Sequence, residues 1–338
     1  MEMDVDTFLV AVYVTVDDLY RERYAPEKPR RPGPEPELSD SEVLTLALLE
    51  QWRLDHSETA FLVWVRTHWQ RYFPRLLSQG AFNRRVRDLA GVLCRLGPDV
   101  CQMLADVVGT PDYEVIDAVP VPLMRRRRGE HHRLFAHEAQ VGRGGTDRSW
   151  FYGCSLLDAV TPNGGITGFV VGPAKTEGHW LADTLLRWRC DPAAPVATTQ
   201  DLRVALGPDH PNQRIGPTGP IRGRLAAGVT TSSLYLGDGG FRGRYWHAHW
   251  ASAYGAQVAT TADPGVTPEL HAWYASARQV VETVHSCLVS TFGLTFPGAR
   301  SAWGLLARLA AKVAAFNVAL LINVRFGRPP FSIFNPLD

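Results

Sequence analysis

The chain has 338 residues, of which 45% are hydrophobic, so a sizeable core can form and global disorder is excluded. Its formal net charge is only +1, which does not by itself indicate a nucleic-acid binder. The acidic N-terminus lacks the basic region of a secretory signal, and Arg308 and Lys312 interrupt the apolar C-terminal stretch as in a buried helix. We therefore expect a cytoplasmic protein without membrane contact.

The charge is unevenly distributed along the chain. Residues 1–60 carry 14 acidic and 6 basic side chains, whereas residues 61–95 carry 7 arginines and one aspartate. Residues 121–150 carry 7 arginines and 3 acids. Local positive surfaces of this kind can bind phosphate even when the whole chain is nearly neutral.

The first 110 residues predict helices. An apolar helix over residues 5–20 is followed by a proline-rich linker and by the sequence Ser39-Asp40-Ser41-Glu42, in which Ser39 pairs with Glu42 as a capping box or one of the two residues between them is the cap. Further helices are expected to begin near Ser57 and Ser78. We predict an all-α domain over residues 1–110 that resembles a helix-turn-helix module; a plain helical bundle is the alternative.

The predicted fourth helix is rich in arginine. Arg84, Arg85 and Arg87 follow its start at Ser78 and are predicted to contact DNA phosphates, because arginine suits bidentate phosphate binding. In the alternative helical bundle, the same residues form a solvated surface.

After Pro111 the pattern changes to strands and helices. The β-branched run over residues 114–123 predicts a first strand, and a loop is expected to be inserted near residues 191–222, which are rich in Pro and Gly. The order predicts a ribonuclease H-like α/β domain over residues 111–338, with a mixed sheet flanked by helices. The other predicted strands cover residues 150–160, 166–171, 233–236 and 256–260, and the other predicted helices cover residues 179–189, 277–292 and 301–325.

Three acidic residues stand out in this domain. Asp117 interrupts the apolar first strand, where a charged side chain is costly unless it is paired or binds a cation. Asp238 follows the fourth predicted strand between glycines, and Glu282 lies on an otherwise apolar helix. Each has an ordinary alternative, as a turn residue, a cap or a solvated helix position.

Together, the three acids predict a metal site. Two like charges 4 Å apart repel by about 4 kcal/mol at an effective dielectric constant of 20, and divalent cations relieve that repulsion. Mg²⁺ prefers oxygen ligands and leaves positions open for water and phosphate. Two such ions can activate the attacking oxygen and stabilise the leaving oxygen in phosphoryl transfer.

The five cysteines do not indicate a metal site or disulfides. Their number is odd and no C-x-x-C spacing occurs, so we expect reduced thiols in the core. A zinc site at His131, His132 and His137 is an alternative that no cysteine pair supports.

Four motifs in order resemble the transposases of bacterial insertion sequences, most closely the insertion sequence 982 family. They are the run at residues 38–47 followed by Ser78-x3-Phe-Asn-Arg-Arg, the Val-Ile-Asp-Ala-Val-Pro run around Asp117, Gly237-Asp-Gly-Gly-Phe241, and Val281-Glu-Thr-Val-His-Ser286, with a tail at residues 303–312. Arg278 and Glu282 also match the centre of the Tyr-x2-Arg-x3-Glu-x6-Lys signature of the wider insertion sequence 4 group. Ala275 and Val289 stand at the outer positions of that signature.

The resemblance implies a DDE-type DNA transposase with Asp117, Asp238 and Glu282 as its catalytic and metal-binding triad. Such an enzyme uses two Mg²⁺ ions, for which Mn²⁺ substitutes, and binds double-stranded DNA at terminal inverted repeats and at the target. A homodimer is expected because two ends are joined in one event. The alternatives are a ribonuclease H-like nuclease without strand transfer and a DNA-binding protein without catalysis.

Further cationic residues are expected near this site. The run Arg125, Arg126, Arg127 and Arg128 follows the first strand directly and is predicted to bind DNA phosphate beside Asp117, or else to be a solvated loop. Arg278 lies one helical turn before Glu282 and either contacts a DNA phosphate or forms a salt bridge to Glu282 or a neighbour. We expect His285 to be packed or to face DNA.

Overall fold

The computed structural model describes residues 3–28, 36–53, 57–129, 135, 138–144, 149–191, 233–333 and 335. These residues form a mixed six-stranded sheet with helices on both faces, as the sequence predicts for an α/β protein. The predicted inserted loop near residues 191–222 lies outside the described residues, apart from Asp191. The strands are β1 (Glu114–Arg125), β2 (Gln140–Gly144), β3 (Ser149–Val160), β4 (Ile166–Pro173), β5 (Leu234–Gly237) and β6 (Gln257–Thr260).

The sheet has an antiparallel half and a parallel half. Strand β3 pairs antiparallel with β1 along one edge, and its other edge pairs with β2 over its first residues and with β4 over the rest. On the other side of β1, β5 and then β6 are added in parallel. Because β5 is only four residues long, it pairs with the start of β1, and the second half of β1 continues beyond it.

The N-terminal part is helical, as predicted. Its helices are α1 (Val5–Leu19), α2 (Asp40–Leu49), α3 (Glu58–His68), α4 (Gln79–Asp88) and α5 (Ala90–Val108). Ser39 and Glu42 form the predicted capping box, and the side chains of Ser57 and Ser78 cap α3 and α4. In each case a side-chain oxygen accepts a hydrogen bond from a backbone N–H that the helix leaves unpaired.

The helix-turn-helix prediction is not confirmed. Helices α3 and α4 are separated by residues 69–78, whereas the motif joins its two helices by a turn of about three or four residues. Only Leu89 separates α4 from α5. The arrangement is that of a bundle in which α4 presents its arginines near a surface.

The N-terminal helices share a hydrophobic core with the rest of the chain. One buried cluster includes Phe8, Leu44 and Leu93 from the N-terminal helices, Val115 from β1 and Phe316 from the last helix. Residues 1–110 and 111–338 were predicted as two domains, but the described residues do not give them separate cores. An isolated N-terminal fragment would lose the apolar surface against which it packs.

The remaining helices cover the two faces of the sheet. A short helix, α6 (Arg126–Gly129), follows β1; α7 (Gly178–Cys190) and α8 (Arg244–Tyr254) pack on one face, whereas α9 (Pro268–Ser290) and α10 (Ala302–Arg325) pack on the other. Strand β2 and helix α8 were not predicted. Helix α9 begins nine residues before the predicted start, with Thr267 as its cap and Pro268 in its first turn.

Helix α10 is long and apolar enough to cross a membrane by length and composition, but 94% of its apolar window is buried inside the protein. The polar residues that interrupt it have partners in the core. Lys312 donates to the Gln51 side chain and to the Phe292 carbonyl, and Asn317 exchanges hydrogen bonds with the Ile166 backbone. These bonds fit the predicted buried helix.

Candidate active site

Three aspartates lie at the same level of three adjacent strands. Asp117 on β1 is the direct antiparallel partner of Asp158 on β3. On the other side, Val115 pairs with Leu236 of the parallel strand β5, so continuing that register by two residues puts Asp117 level with Asp238. Because side chains alternate between faces, all three carboxyl groups are on the face covered by α9 and α10. We call Asp158, Asp117 and Asp238 the aspartate row.

The chain turns sharply after Asp238. Its side chain accepts a hydrogen bond of 2.8 Å from the Gly240 backbone N–H and caps the short turn Gly239–Phe241. A Cβ at position 237 would lie 2.9 Å from the Phe241 ring, so glycine is needed for the ring to pack against the strand end. These contacts hold Asp238 at the end of β5.

Asp117 is largely buried, with 22% of its side chain exposed. Burial raises the pKa of this carboxyl, and the nearby Asp238 carboxylate raises it further, whereas His285, the Ala118 N–H and Arg278 oppose the increase. The net pKa is above the ordinary value, so the folded protein disfavours the charge on Asp117. A cation beside it would reverse that preference.

Helix α9 passes over this face and carries the third predicted acid. Val281, Val284 and Leu288 are buried against the core, whereas Glu282 is exposed. Arg278, one turn earlier, places Nη2 3.4 Å from Asp117 Oδ2. Arg278 therefore forms a salt bridge with the neighbouring Asp117, which agrees with the salt-bridge alternative weighed from the sequence.

His285 is one turn beyond Glu282 and contacts the aspartate row directly. Its Nε2 lies 2.9 Å from Asp158 Oδ1, and Asp158 is completely buried. Burial lowers the pKa of His285, but the carboxylates of Asp158, Asp117 and Glu282 outweigh burial, so the net pKa is above the ordinary value. His285 is therefore packed, as one of its two predicted roles requires, but the sequence did not identify Asp158 as its partner.

The site contains carboxylates, but no assembled set of ligands in the described part of the chain. No group of three or more His, Cys, Asp or Glu side chains is close enough there to hold a metal ion. The chemistry of the donors nevertheless fits Mg²⁺, because the candidate ligands are all carboxylate oxygens. In addition, Asp158 Oδ2 is buried and accepts no hydrogen bond within the described residues. A buried carboxylate oxygen next to Asp117 that accepts no hydrogen bond is suited to binding a cation.

Asp158 was missed in the sequence, although a signal was present. It interrupts the apolar run Leu156–Val160 in the same way that Asp117 interrupts its own strand. Its closeness to Asp117 depends on the pairing of β1 with β3, which the sequence pattern does not reveal.

The arginine run is not beside Asp117. Arg125 is the last residue of β1, eight residues after Asp117, which corresponds to about 26 Å of strand. The prediction that the run flanks the triad is therefore wrong. The run instead adjoins Trp150, which is 53% exposed and has the guanidinium groups of Arg126 and Arg143 at 5.3 and 5.9 Å from its ring centre.

The three arginines of α4 have different surroundings. Arg84 and Arg87 are exposed. Arg85 instead donates to the Leu38 carbonyl and forms an ion pair of 2.5 Å with Asp40, whose side chain is only 6% exposed. Arg85 therefore ties α4 to the start of α2, and its guanidinium is already occupied; the predicted DNA contact remains for Arg84 and Arg87.

The zinc alternative involves His131, His132 and His137, which lie outside the described residues. All five cysteines are free thiols, as predicted, but only three of them are buried as expected for the core: Cys287 is partly buried and Cys190 is exposed. No family model, curated protein or solved structure matches this chain.

Proposed function

We propose that this chain is a DDE-type transposase in which Asp117, Asp238 and Glu282 hold two Mg²⁺ ions. The observation that supports the proposal most is that Asp117 and Asp238 are level with each other on neighbouring parallel strands, beneath the helix that carries Glu282. The raised pKa of Asp117 agrees with it: burial is the main cause of the increase, and the Asp238 carboxylate adds to it. Carboxylates that disfavour each other's charge are suited to cation binding.

The ribonuclease H-like assignment belongs to the same proposal. The support is the order of the elements: four strands paired antiparallel (β1–β4), helix α7, and then two parallel strands, β5 and β6, which are separated by α8 and followed by α9. In this arrangement, β1 supplies the first acid, the end of β5 supplies the second and α9 supplies the third. The aspartate row includes the first two acids, and α9 contacts the row through Arg278 and His285.

The proposed reaction is cleavage and transfer of DNA strands. Bound Mg²⁺ ions would activate the attacking oxygen and stabilise the leaving oxygen. The chain's own contribution is to bury Asp117, to cap the turn at Asp238 and to hold Arg278 beside Asp117. Arg278 adds positive charge next to the acids, which favours an approaching DNA phosphate.

We propose two surfaces for DNA outside the active site. The first contains the exposed residues Arg84 and Arg87 on α4. The second contains Arg125–Arg128 with Trp150, where cations surround an exposed ring. Arginine with aromatic side chains is a combination that binds nucleic-acid backbone and bases. A homodimer acting on terminal inverted repeats in the cytoplasm completes the proposal.

A strand-transfer assay with the DNA that flanks the gene as donor ends separates this proposal from its alternatives. A transposase joins those ends to a target molecule. A ribonuclease H-like nuclease cleaves DNA without joined products, and a protein without catalysis binds the ends and leaves them intact. Joined products that require the flanking ends are the expected result; their absence with active protein contradicts the proposal.

A further inference from the structure

We propose that Asp158 and His285 form a positioning pair that fixes helix α9, and with it Glu282, over Asp117 and Asp238. This inference rests on the proposed function, because it concerns how the third acid reaches the metal site. It adds two residues that the triad does not contain. The supporting observations are the contacts of α9, the burial of Asp158 and a second His–Asp pair elsewhere in the protein.

Two polar contacts attach α9 to the sheet on either side of Glu282. Arg278, four residues before Glu282, reaches Asp117 on β1; His285, three residues after it, reaches Asp158 on β3. Residues three and four apart share one side of a helix. Because the two contacts go to different strands, they restrain both rotation of α9 about its axis and its movement across the sheet. Glu282 lies between the two restraints.

The protein contains a comparable pair on the opposite face of the sheet. His249 Nε2 lies 2.8 Å from Asp183 Oδ1, Asp183 is completely buried, and His249 is 11% exposed, against 13% for His285. This pair joins α8 to α7 among buried apolar side chains that include Trp180 and Trp246. It provides a reference for what a His–Asp contact does outside the aspartate row.

The two pairs differ at the second carboxylate oxygen. Asp183 Oδ2 lies 3.4 Å from the Tyr254 hydroxyl, which donates to it. Asp158 Oδ2 accepts no hydrogen bond within the described residues, although a buried polar atom normally has a partner. Since Asp158 is directly opposite Asp117, its orphaned oxygen belongs to the aspartate row. In a His–Asp pair with only a structural role, we expect this oxygen to accept a hydrogen bond, as Asp183 Oδ2 does.

The expected consequence is a change in metal affinity. Residues that orient metal ligands affect affinity about 10- to 100-fold when they are substituted. Losing the His285 contact frees α9 at one of its two attachments, so Glu282 is held less well and metal binding weakens. Losing the His249 contact destabilises the fold without moving Glu282.

The test uses the full-length protein and Mn²⁺ as the probe, with affinity measured by calorimetry and folding by thermal unfolding without metal. His285→Ala is compared with His249→Ala, and Asp158→Asn with Asp183→Asn. We expect His285→Ala and Asp158→Asn to weaken Mn²⁺ binding about tenfold or more. His249→Ala and Asp183→Asn should bind Mn²⁺ as the wild type does. Both histidine variants should lower the unfolding temperature. His285→Gln, whose amide can donate to Asp158, should recover most of the affinity.

The outcomes separate the inference from the proposed function. Wild-type Mn²⁺ affinity in His285→Ala and Asp158→Asn overturns the positioning pair alone, as does an equal loss in the His249 and Asp183 variants. If His285→Ala does not fold, Asp158→Asn keeps the shape of the side chain and carries the same prediction. No Mn²⁺ binding by the wild type overturns the metal site itself, and the positioning pair with it.

Discussion

Asp117 and Asp158 are directly opposite each other across the antiparallel β1–β3 pair. Their side chains therefore share one face of the sheet, where like charges on directly opposed residues are destabilising. Arg278 is beside one carboxylate and His285 beside the other, which offsets part of the repulsion. Two acids at such a position lower the stability of the fold, as expected of residues that serve the proposed metal site.

Substitution of Asp117 by Asn is expected to stabilise the metal-free protein at neutral pH. Because the pKa of Asp117 is raised above 3.8 in the folded state, its contribution to stability is present below that pH and is lost as the pH rises through the raised value. Asp117→Asn has no charge to form. Its unfolding temperature should therefore exceed that of the wild type at pH 7.5 in chelator, and the difference should shrink towards pH 3.

Asp112→Asn is the matched control, because Asp112 is exposed and precedes the same strand. It should unfold like the wild type at both pH values. An Asp117→Asn variant that is less stable than the wild type at pH 7.5 would show that the contact with Arg278 outweighs the burial of the charge.

A second prediction concerns how stability depends on pH through the buried groups Glu50 and Lys312. Burial raises the pKa of Glu50 to about 7 and lowers the pKa of Lys312 to about 7. The Glu50 contribution is present below its unfolded pKa of 4.5 and is lost as the pH rises through about 7. Glu50→Gln should therefore match the wild type at pH 4 and be more stable at pH 8, by about 3 kcal/mol.

Chemical denaturation at the two pH values measures this difference. Glu37→Gln, at an exposed position shortly before α2, should have no effect at either pH. Equal stabilities of Glu50→Gln and the wild type at pH 8 would mean that Arg308, 4.0 Å from Glu50, compensates the buried charge.

Arg84 and Arg85 are adjacent but should behave differently. Arg85→Ala leaves the Leu38 carbonyl without its donor and the buried carboxylate of Asp40 with fewer partners, so urea denaturation should show a loss of about 2–3 kcal/mol. Arg84→Ala should change stability by less than about 0.5 kcal/mol, but weaken DNA binding and reduce its salt slope by about one. Equal stabilities of the two variants would contradict the assigned role of Arg85.

The surface around Trp150 can be tested apart from the active site. Trp150→Ala combined with Arg126→Ala should reduce DNA affinity and the steepness of its salt dependence, since an exposed ring and a cation are removed together. Mn²⁺ affinity should not change, because β1 separates this surface from Asp117 by about 26 Å. Unchanged DNA binding in a salt titration would remove the surface from the proposal.

Local signals in the sequence predicted much of the fold. The capping box of Ser39 and Glu42 and the start of α3 at Ser57 were confirmed, because caps depend on residues a few positions apart. Strand β2, with two glycines in five residues, and helix α8, with its tryptophans and histidines, lack a clear period and were missed. The early start of α9 was signalled by Thr267 and Pro268, a combination typical of helix starts.

The site was predictable only in part. The burial of a charge in an apolar strand identified Asp117, and the same rule applies to Asp158. That the two are opposite each other, and that His285 reaches Asp158, follows from contacts between residues distant in the chain. Likewise, Arg85 is bound by Asp40, which is 45 residues away, so no local pattern predicts this ion pair.

Metal-dependent cleavage tests the central claim most directly. End-labelled DNA carrying the flanking sequence is incubated with the wild type and with Asp117→Asn, Asp238→Asn and Glu282→Gln, in Mg²⁺, Mn²⁺, Ca²⁺ or excess chelator. We predict cleavage by the wild type in Mg²⁺ and, with looser specificity, in Mn²⁺, little in Ca²⁺, and none in chelator or by any of the three variants, all of which still bind the DNA. Full cleavage in excess chelator, or by any one of the variants, would contradict the proposed triad.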